Sequence, residues 1–459
     1  MATNFDVIVV MVPLPEYGHQ IPLLRLSQLI SSYNIPVHYI SIGTPSHQLK
    51  LRQQGTRFAN MQFHDLPISR KKKDEDEDEE EEEDIMSYYE SLLLLGEPLC
   101  VICRALLSSA TNNNRKRLVI IHDAIMLPIV QSVYSVPNVE AYFFHAISAF
   151  TAYSWIQQVF SDSPADHNLF SPLKAHIPSV DNPGTTALIK IQQECKFKSG
   201  EIFNTCREIE GPYLDALSKQ SDKPFWGLGP FNPVHIDGGG GGSDGCKRHR
   251  CIEWLDKQPL NSVILVSFGT ASTFSPEQIH EIAIGLDRSE QKFIWVLREA
   301  DKKGKSFTGV IPKIELPIGF EERVAERGII AREWVPQLEI LAHPSTGGYL
   351  FHSGWNSFLE SATMGVPMAT WPINADNPYN DVLITKVLKV GLVVRDWKHK
   401  DELVKSDTIE IAVRTLMNSP EGEEMRQRAT ELSKAIKTSV GDGGSTQKQM
   451  DSFIAHITR

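Results

Sequence analysis

Five consecutive glycines, Gly238 to Gly242, divide the chain near its middle. With Ser243, Asp244 and Gly245 behind them they carry almost nothing to pack, and residues 237–250 read as a flexible linker. A glycine-rich phosphate cradle needs a strand directly before it, and Pro230 and Pro233 spoil that reading. On each side of the linker, strand-like and helix-like segments alternate. Phe5 to Val12 is an apolar, β-branched run, followed by the loop Pro13 to His19. Ile21 to Ile30 then carries leucines and isoleucines at helical spacing, with Pro22 tolerated in a first turn. Pro36 to Ile42 and Leu118 to Ile121, the latter running into His122 and Asp123, are further strands. Beyond the linker, strands are expected at Ser262–Phe268, Lys292–Leu297, Gly328–Arg332, Gly348–Phe351 and Pro367–Trp371. A helix is expected at Pro276–Leu286.

Strands separated by helix-length segments imply parallel α/β sheets. A chain of 459 residues is also too long for one compact core. The expected architecture is therefore two Rossmann-like, doubly wound domains, 1–236 and 251–440, facing each other across a cleft where such sheets bind ligands. Residues 441–459 form a last helix able to pack back on the first domain.

The formal net charge of −11 is local. Eleven of the 57 acidic residues form the unbroken run Asp74–Asp84, and the remainder match the 46 basic residues in number. Like charges repel and solvate, so residues 69–86 read as a disordered surface loop rather than a docking tail. Nucleic acid would call for a basic face, which is missing. No apolar run approaches the length of a membrane span, and Val7–Val12 lacks the basic flank of a signal peptide. Six cysteines without disulfide spacing suit a reducing, cytoplasmic setting. Cys100 and Cys103 have redox or zinc spacing but no second pair, and Cys246 and Cys251 with His249 lack a tetrahedral set.

The richest segment runs from Trp334 to Asn377. Phe351 and His352 end a strand, and Ser353-Gly354-Trp355-Asn356-Ser357 opens a helix, whose free N–H groups and dipole make an anion site. Gly354 lets a phosphate approach the backbone, while His352, Asn356 and Ser357 add donors. Glu360 lies one turn further on the same face, placed to accept from sugar hydroxyls such as a ribose diol.

This segment resembles the signature box of the plant UDP-glycosyltransferases of the GT-B fold. Trp334, Pro336-Gln337, His343, His352, Gly354–Ser357, Glu360, Gly365, Pro367 and Asp376 fall at the family spacing. The resemblance implies that Trp334 stacks beneath uracil, that Val335–Gln337 contact the base through the backbone, and that Glu360 holds the ribose. It assigns His352, Asn356 and Ser357 to the diphosphate, with help from Thr270. Asp376 and Asn377 would bind the transferred sugar, with Trp355 nearby. Ser353 replaces the family's Cys, a change between small residues. Asn377 replaces Gln, and the shorter reach leaves both UDP-glucose and UDP-xylose as donors.

In the first half, Pro15-Glu16-Tyr17-Gly18-His19-Gln20-Ile21-Pro22 resembles the family's catalytic-histidine loop, and Asp123 matches its partner aspartate. A neutral imidazole is a suitable base for an alcohol near pH 7, and the helix N-terminus after His19 should disfavour imidazolium. Asp123 would fix the tautomer. Attack from the face opposite UDP would invert the sugar carbon. His352 and the helix dipole would take the leaving-group charge without a metal, and no cofactor is implied beyond the UDP-sugar co-substrate. Phe143-Phe144-His145-Ala146, Trp371-Pro372 and Lys389–Val394 look most like the zeatin O-glycosyltransferase group, and His145 falls where relatives contact the donor sugar. The acceptor class is a small hydroxylated plant metabolite, a cytokinin, flavonoid or terpenoid, and monomer is the default state. A non-catalytic UDP-sugar-binding protein or an epimerase would not need the His19–Asp123 pair.

Overall fold

The computed structural model describes residues 6–51, 60–68, 90–108, 117–160, 169, 171–180, 182–236, 248–269, 274–297 and 315–459. The expected acidic loop, the glycine run, Cys246 and Thr270 lie outside them.

Seven strands form the first sheet: β1 (Val7–Val12), β2 (Val37–Ile42), β3 (Met61–Leu66), β4 (Arg117–Asp123), β5 (Val139–His145), β6 (Lys198–Phe203) and β7 (Phe225–Gly227). Their spatial order is β3-β2-β1-β4-β5-β6-β7, and every pairing is parallel. The second sheet holds β8 (Val263–Ser267), β9 (Lys292–Val296), β10 (Gly328–Ala331), β11 (Thr346–Phe351), β12 (Met368–Thr370) and β13 (Gly391–Val393). Its order, β10-β9-β8-β11-β12-β13, is also wholly parallel. Strand order reverses between β1 and β4 in one sheet and between β8 and β11 in the other. At such a reversal the connecting loops leave in opposite directions and open a crevice at the strands' carboxyl ends.

β1 shows why the sheet is sandwiched. All six of its residues are buried. Val7, Val9 and Met11 face one core and Ile8, Val10 and Val12 the other, as the two-residue period of a strand requires. Six helices frame the cleft and the lobe interface: α1 (Tyr17–Ser32), α2 (Ala149–Val159), α3 (Trp355–Met364), α4 (Asn377–Val382), α5 (Pro420–Val440) and α6 (Ser445–Ile457). One apolar cluster crosses the interface, joining Phe150, Tyr153 and Tyr213 of the first lobe to Trp355, Phe358 and Tyr379 of the second.

α6 leaves the second lobe and buries Met450, Phe453, Ile454 and Ile457 in a core of the first. Each such side chain contributes about 1.5–3 kcal/mol, more than an exposed polar contact, so apolar burial holds the helix. Polar contacts set its register, with Tyr33 Oη donating to Asp451 at 3.0 Å and Arg117 Nη2 to the Ile457 carbonyl at 2.5 Å.

One helical stretch, Glu90–Ser108, is long and apolar enough by length and composition to cross a membrane, which the sequence reading did not anticipate. Leu92, Leu95, Leu99, Cys100 and Cys103 on it are buried in a core of the first lobe, whereas Leu93, Leu94 and Val101 are exposed. The Cys100–Cys103 pair is thus a packing feature, and burial pushes the Cys103 thiol up to about 12. His249 caps its helix, accepting from the Cys251 N–H at 3.2 Å. Among the described residues no three His, Cys, Asp or Glu side chains gather as a metal-holding group.

Candidate active site

His19 lies in the first turn of α1, just past the end of β1, and Asp123 is the last residue of β4. The chain separates them by 104 residues, but β1 and β4 are neighbours with Val12 opposite His122. The parallel pairing therefore brings the two side chains together. His19 Nδ1 and Asp123 Oδ2 are 2.6 Å apart, and Asp123 Oδ1 accepts from the Ile125 N–H at 2.9 Å. A carboxylate held this way fixes the proton on Nδ1 and leaves the Nε2 lone pair free. Burial alone would lower the His19 pKa. The Asp123 charge and hydrogen bond, with the charges of Glu16 and Asp376, outweigh it and hold the value above the ordinary one. The helix N-terminus was expected to favour the neutral ring; three facing carboxylates reverse that expectation. His19 is consequently a stronger base than a free histidine, and one that needs a higher pH to be unprotonated.

The second half of the site follows β11. Ser353 adopts a left-handed φ of 63°, which turns the chain from strand to helix, and α3 begins two residues later. His352 packs between two glycines. A Cβ on Gly354 would lie 2.2 Å from His352 Nε2, and one on Gly269 would lie 3.0 Å from Cε1. Gly354 is therefore required by the imidazole, where the sequence had suggested close approach of a phosphate. Burial brings His352 down to about 4, so the free site holds it neutral. A neutral ring can still donate a hydrogen bond to an anion at the helix terminus. His352 Nδ1 and Ser353 Oγ are buried without a partner, at the end of a helix suited to an anion.

Trp334 is 57% exposed, an indole left open to solvent and suited to stack on a flat base, while Val335 is buried. The Gln337 side chain organises its neighbours: Nε2 donates to Glu360 at 2.8 Å and to Ser357 Oγ at 3.3 Å. Burial raises the Glu360 pKa, opposed by the Gln337 hydrogen bond and by the charge of Arg25, which comes from α1 of the other lobe.

At the far end of the segment, burial also raises the Asp376 pKa, against a hydrogen bond from Asn380 and the charge of His19. Asn380 was missed in the sequence, although it lies four residues after Asp376, a spacing that shares a helix face. It is fully buried and donates to Asp376 Oδ2 at 2.8 Å and to the Ser353 carbonyl at 3.0 Å. The Asn377 side chain is engaged within its own loop. Its Oδ1 accepts from the N–H groups of Ile373 and Asn374 at 3.4 and 3.3 Å, and its Nδ2 donates to Asp376 at 3.3 Å. The amide braces the loop that presents Asp376.

Two adjacent residues of α3 reach across to the first lobe. Trp355 is buried, with Nε1 donating to the Asn204 carbonyl at 3.0 Å, so its indole lies in the lobe interface. Asn356 Nδ2 donates to the Gly18 carbonyl at 2.7 Å. His145 ends β5 with Nε2 2.7 Å from Glu201 and its ring stacked on Phe203 at 4.3 Å; Glu201 also pairs with the buried Lys198. These contacts commit one ring nitrogen and one ring face, so only Nδ1 remains for the expected sugar contact.

One lobe thus presents the His19–Asp123 pair, and the other a helix N-terminus, the Glu360 and Asp376 carboxylates and the exposed Trp334 indole. Residues 6–233 match the glycosyltransferase N-terminal domain model, and residues 238–435 match the model described as UDP-glucoronosyl and UDP-glucosyl transferase. The chain is 44% identical over 460 residues to the zeatin O-glucosyltransferase of Phaseolus lunatus, covering 99% of this chain and 97% of that one. It is equally 44% identical over 469 residues to the zeatin O-xylosyltransferase of Phaseolus vulgaris, covering 100% of both. Among solved structures, UGT71G1 of Medicago truncatula complexed with UDP-glucose superposes with a TM-score of 0.73 at 26% identity, over 99% of this chain and 98% of that one.

Proposed function

The chain belongs to the UDP-glucosyl and UDP-glucuronosyl transferase family, and we propose that it moves a sugar from a UDP donor to the hydroxyl of a zeatin-type cytokinin, inverting the sugar carbon. It is a UDP-sugar-dependent glycosyltransferase of the GT-B fold. The observation that carries the mechanism is the 2.6 Å contact between His19 and Asp123 at the strand-order reversal, opposite the anion site. His19 Nε2 takes the proton as the acceptor oxygen attacks the sugar carbon from the face away from UDP. Asp123 keeps Nδ1 protonated and stabilises the imidazolium that forms. The first turn of α3 receives the diphosphate as its bond to the sugar breaks, Glu360 the ribose diol and Asp376 the sugar hydroxyls.

Support for the acceptor comes from two relatives at equal identity that share zeatin in their names and differ in the sugar. UDP-glucose is the first donor reading. A second, UDP-xylose, is favoured by Asn377, a shorter amide whose Oδ1 accepts from backbone and whose Nδ2 turns to Asp376. Six cysteines without disulfide spacing support a cytoplasmic setting. The test is incubation of the purified protein with trans- and cis-zeatin and each donor, read by mass. A hexose increment supports glucose transfer and a pentose increment xylose transfer. Turnover of a flavonoid or terpenoid with zeatin untouched would overturn the acceptor.

A further inference from the structure

We propose that Asn356 is a positioning residue for the general base, joining the donor's diphosphate to the loop that carries His19. The inference rests on the glycosyltransferase reading above and adds a coupling between its two half-sites.

Asn356 stands in the first turn of α3, where N–H groups and the helix dipole favour an anion. Its Nδ2 donates to the Gly18 carbonyl at 2.7 Å, across the cleft and 338 residues away in the chain. That carbonyl belongs to the peptide unit joining Gly18 to His19, so the contact holds the backbone from which the base projects. The same peptide's N–H, on His19, donates to the Glu16 carbonyl at 2.9 Å. The unit is thus gripped on one side by its own loop and on the other by the donor-binding lobe.

A primary amide nitrogen carries two N–H groups. In Asn356 one is engaged by Gly18, and the second can donate to an anion at the helix terminus. Once a diphosphate holds the second N–H, the side chain loses no further rotamer freedom in reaching Gly18, so donor occupancy strengthens that grip. Donor occupancy is in this way transmitted to the base through one side chain. Trp355 shows what a fixed contact looks like in the same turn: it is buried and donates to Asn204 at 3.0 Å. Asn356 makes an exposed contact, free to respond to a ligand. A side chain at Gly18 would meet Asn356 Nδ2 only at 3.9 Å, an ordinary distance, so the hydrogen bond is not forced by crowding.

The variant Asn356→Ala separates positioning from plain donor binding, with Ser357→Ala as the comparison. Ser357 lies in the same first turn, and its hydroxyl accepts from Gln337 of its own lobe. Lobe docking in both variants stays with Trp355 and with Tyr379, whose hydroxyl donates to the Pro178 carbonyl at 3.1 Å. The His19 ring is titrated by NMR with and without saturating UDP, its signal assigned by its loss in His19→Ala. In the unaltered protein and in Ser357→Ala, saturating UDP raises the midpoint. In Asn356→Ala the ligand-free midpoint is lower, and UDP moves it less than half as far. With an acceptor in hand, kcat at saturating donor falls about 10- to 100-fold in Asn356→Ala, whereas Ser357→Ala changes mainly the KM for donor. An Asn356→Ala protein whose His19 titration and UDP response match the unaltered protein overturns the proposal. So does one in which only KM and UDP affinity change. The titration judges the coupling without turnover, so a protein that binds UDP and transfers nothing would count against the parent reading alone.

Discussion

The two lobes share one strand order and one reversal point, yet they build their halves of the site in different ways. In the first lobe the working parts are two side chains 104 residues apart, and only the pairing of β1 with β4 brings them to 2.6 Å. In the second lobe most of the working parts lie within Trp334–Asn377, and their geometry follows from a strand, a turn at Ser353 and the helix after it. A first-lobe site of this kind depends on side-chain chemistry held by tertiary structure. A second-lobe site of this kind adds backbone N–H groups to its side chains, and those groups do not tolerate a change of backbone path.

That contrast can be broken at several points, beginning with the largest effect. Asp123→Asn should lower transfer by about 10²–10⁴-fold, because the imidazole loses both its tautomer control and its countercharge. The sign of the pH effect follows from the raised His19 pKa. The base works unprotonated, so the rate climbs as pH rises through that value and falls away below it. Without the Asp123 charge the residual activity should have its acidic limb at lower pH. A limb that does not move would remove His19 from the rate law.

Gly354→Ala should act through the other lobe, weakening UDP about 100-fold by displacing His352, with the acidic limb of kcat unchanged. A shifted limb would show that His352 also acts on the base. Trp334→Ala should cost about 1–3 kcal/mol of UDP affinity, the scale of a base stacked on an aromatic ring, measured by calorimetry. Deleting Asp74–Asp84 should leave kcat and KM unchanged; a large loss would make that segment part of the site.

The legibility of the chain follows the same contrast. β1 is a continuous apolar run, β8 one up to its final Ser267, and β2 is broken only by His38 and Ser41; all three are fully buried, and such runs are visible without a structure. β3 lies at a sheet edge with a partly exposed, polar sequence, and β7 and β13 have three residues each, too short for any period to show. β6 opens on a buried lysine, paired with Glu201, that looks like surface in one dimension. In the site, the residue types of the second-lobe box were legible, but their partners were not. Gln337 bonded to Glu360, Asn377 bonded to backbone and Trp355 turned into the lobe interface depend on contacts that spacing alone does not specify. Asn380 carried a signal in its spacing from Asp376, but a lone asparagine in a helix is rarely read as functional.

The most direct test of the division between a base on one lobe and a donor site on the other is His19→Ala, with transfer and UDP affinity measured on the same preparation. The account predicts that transfer to a hydroxyl acceptor falls by at least about 100-fold while the Kd for UDP stays as in the unaltered protein. Retained transfer, or UDP binding lost in step with activity, would contradict it.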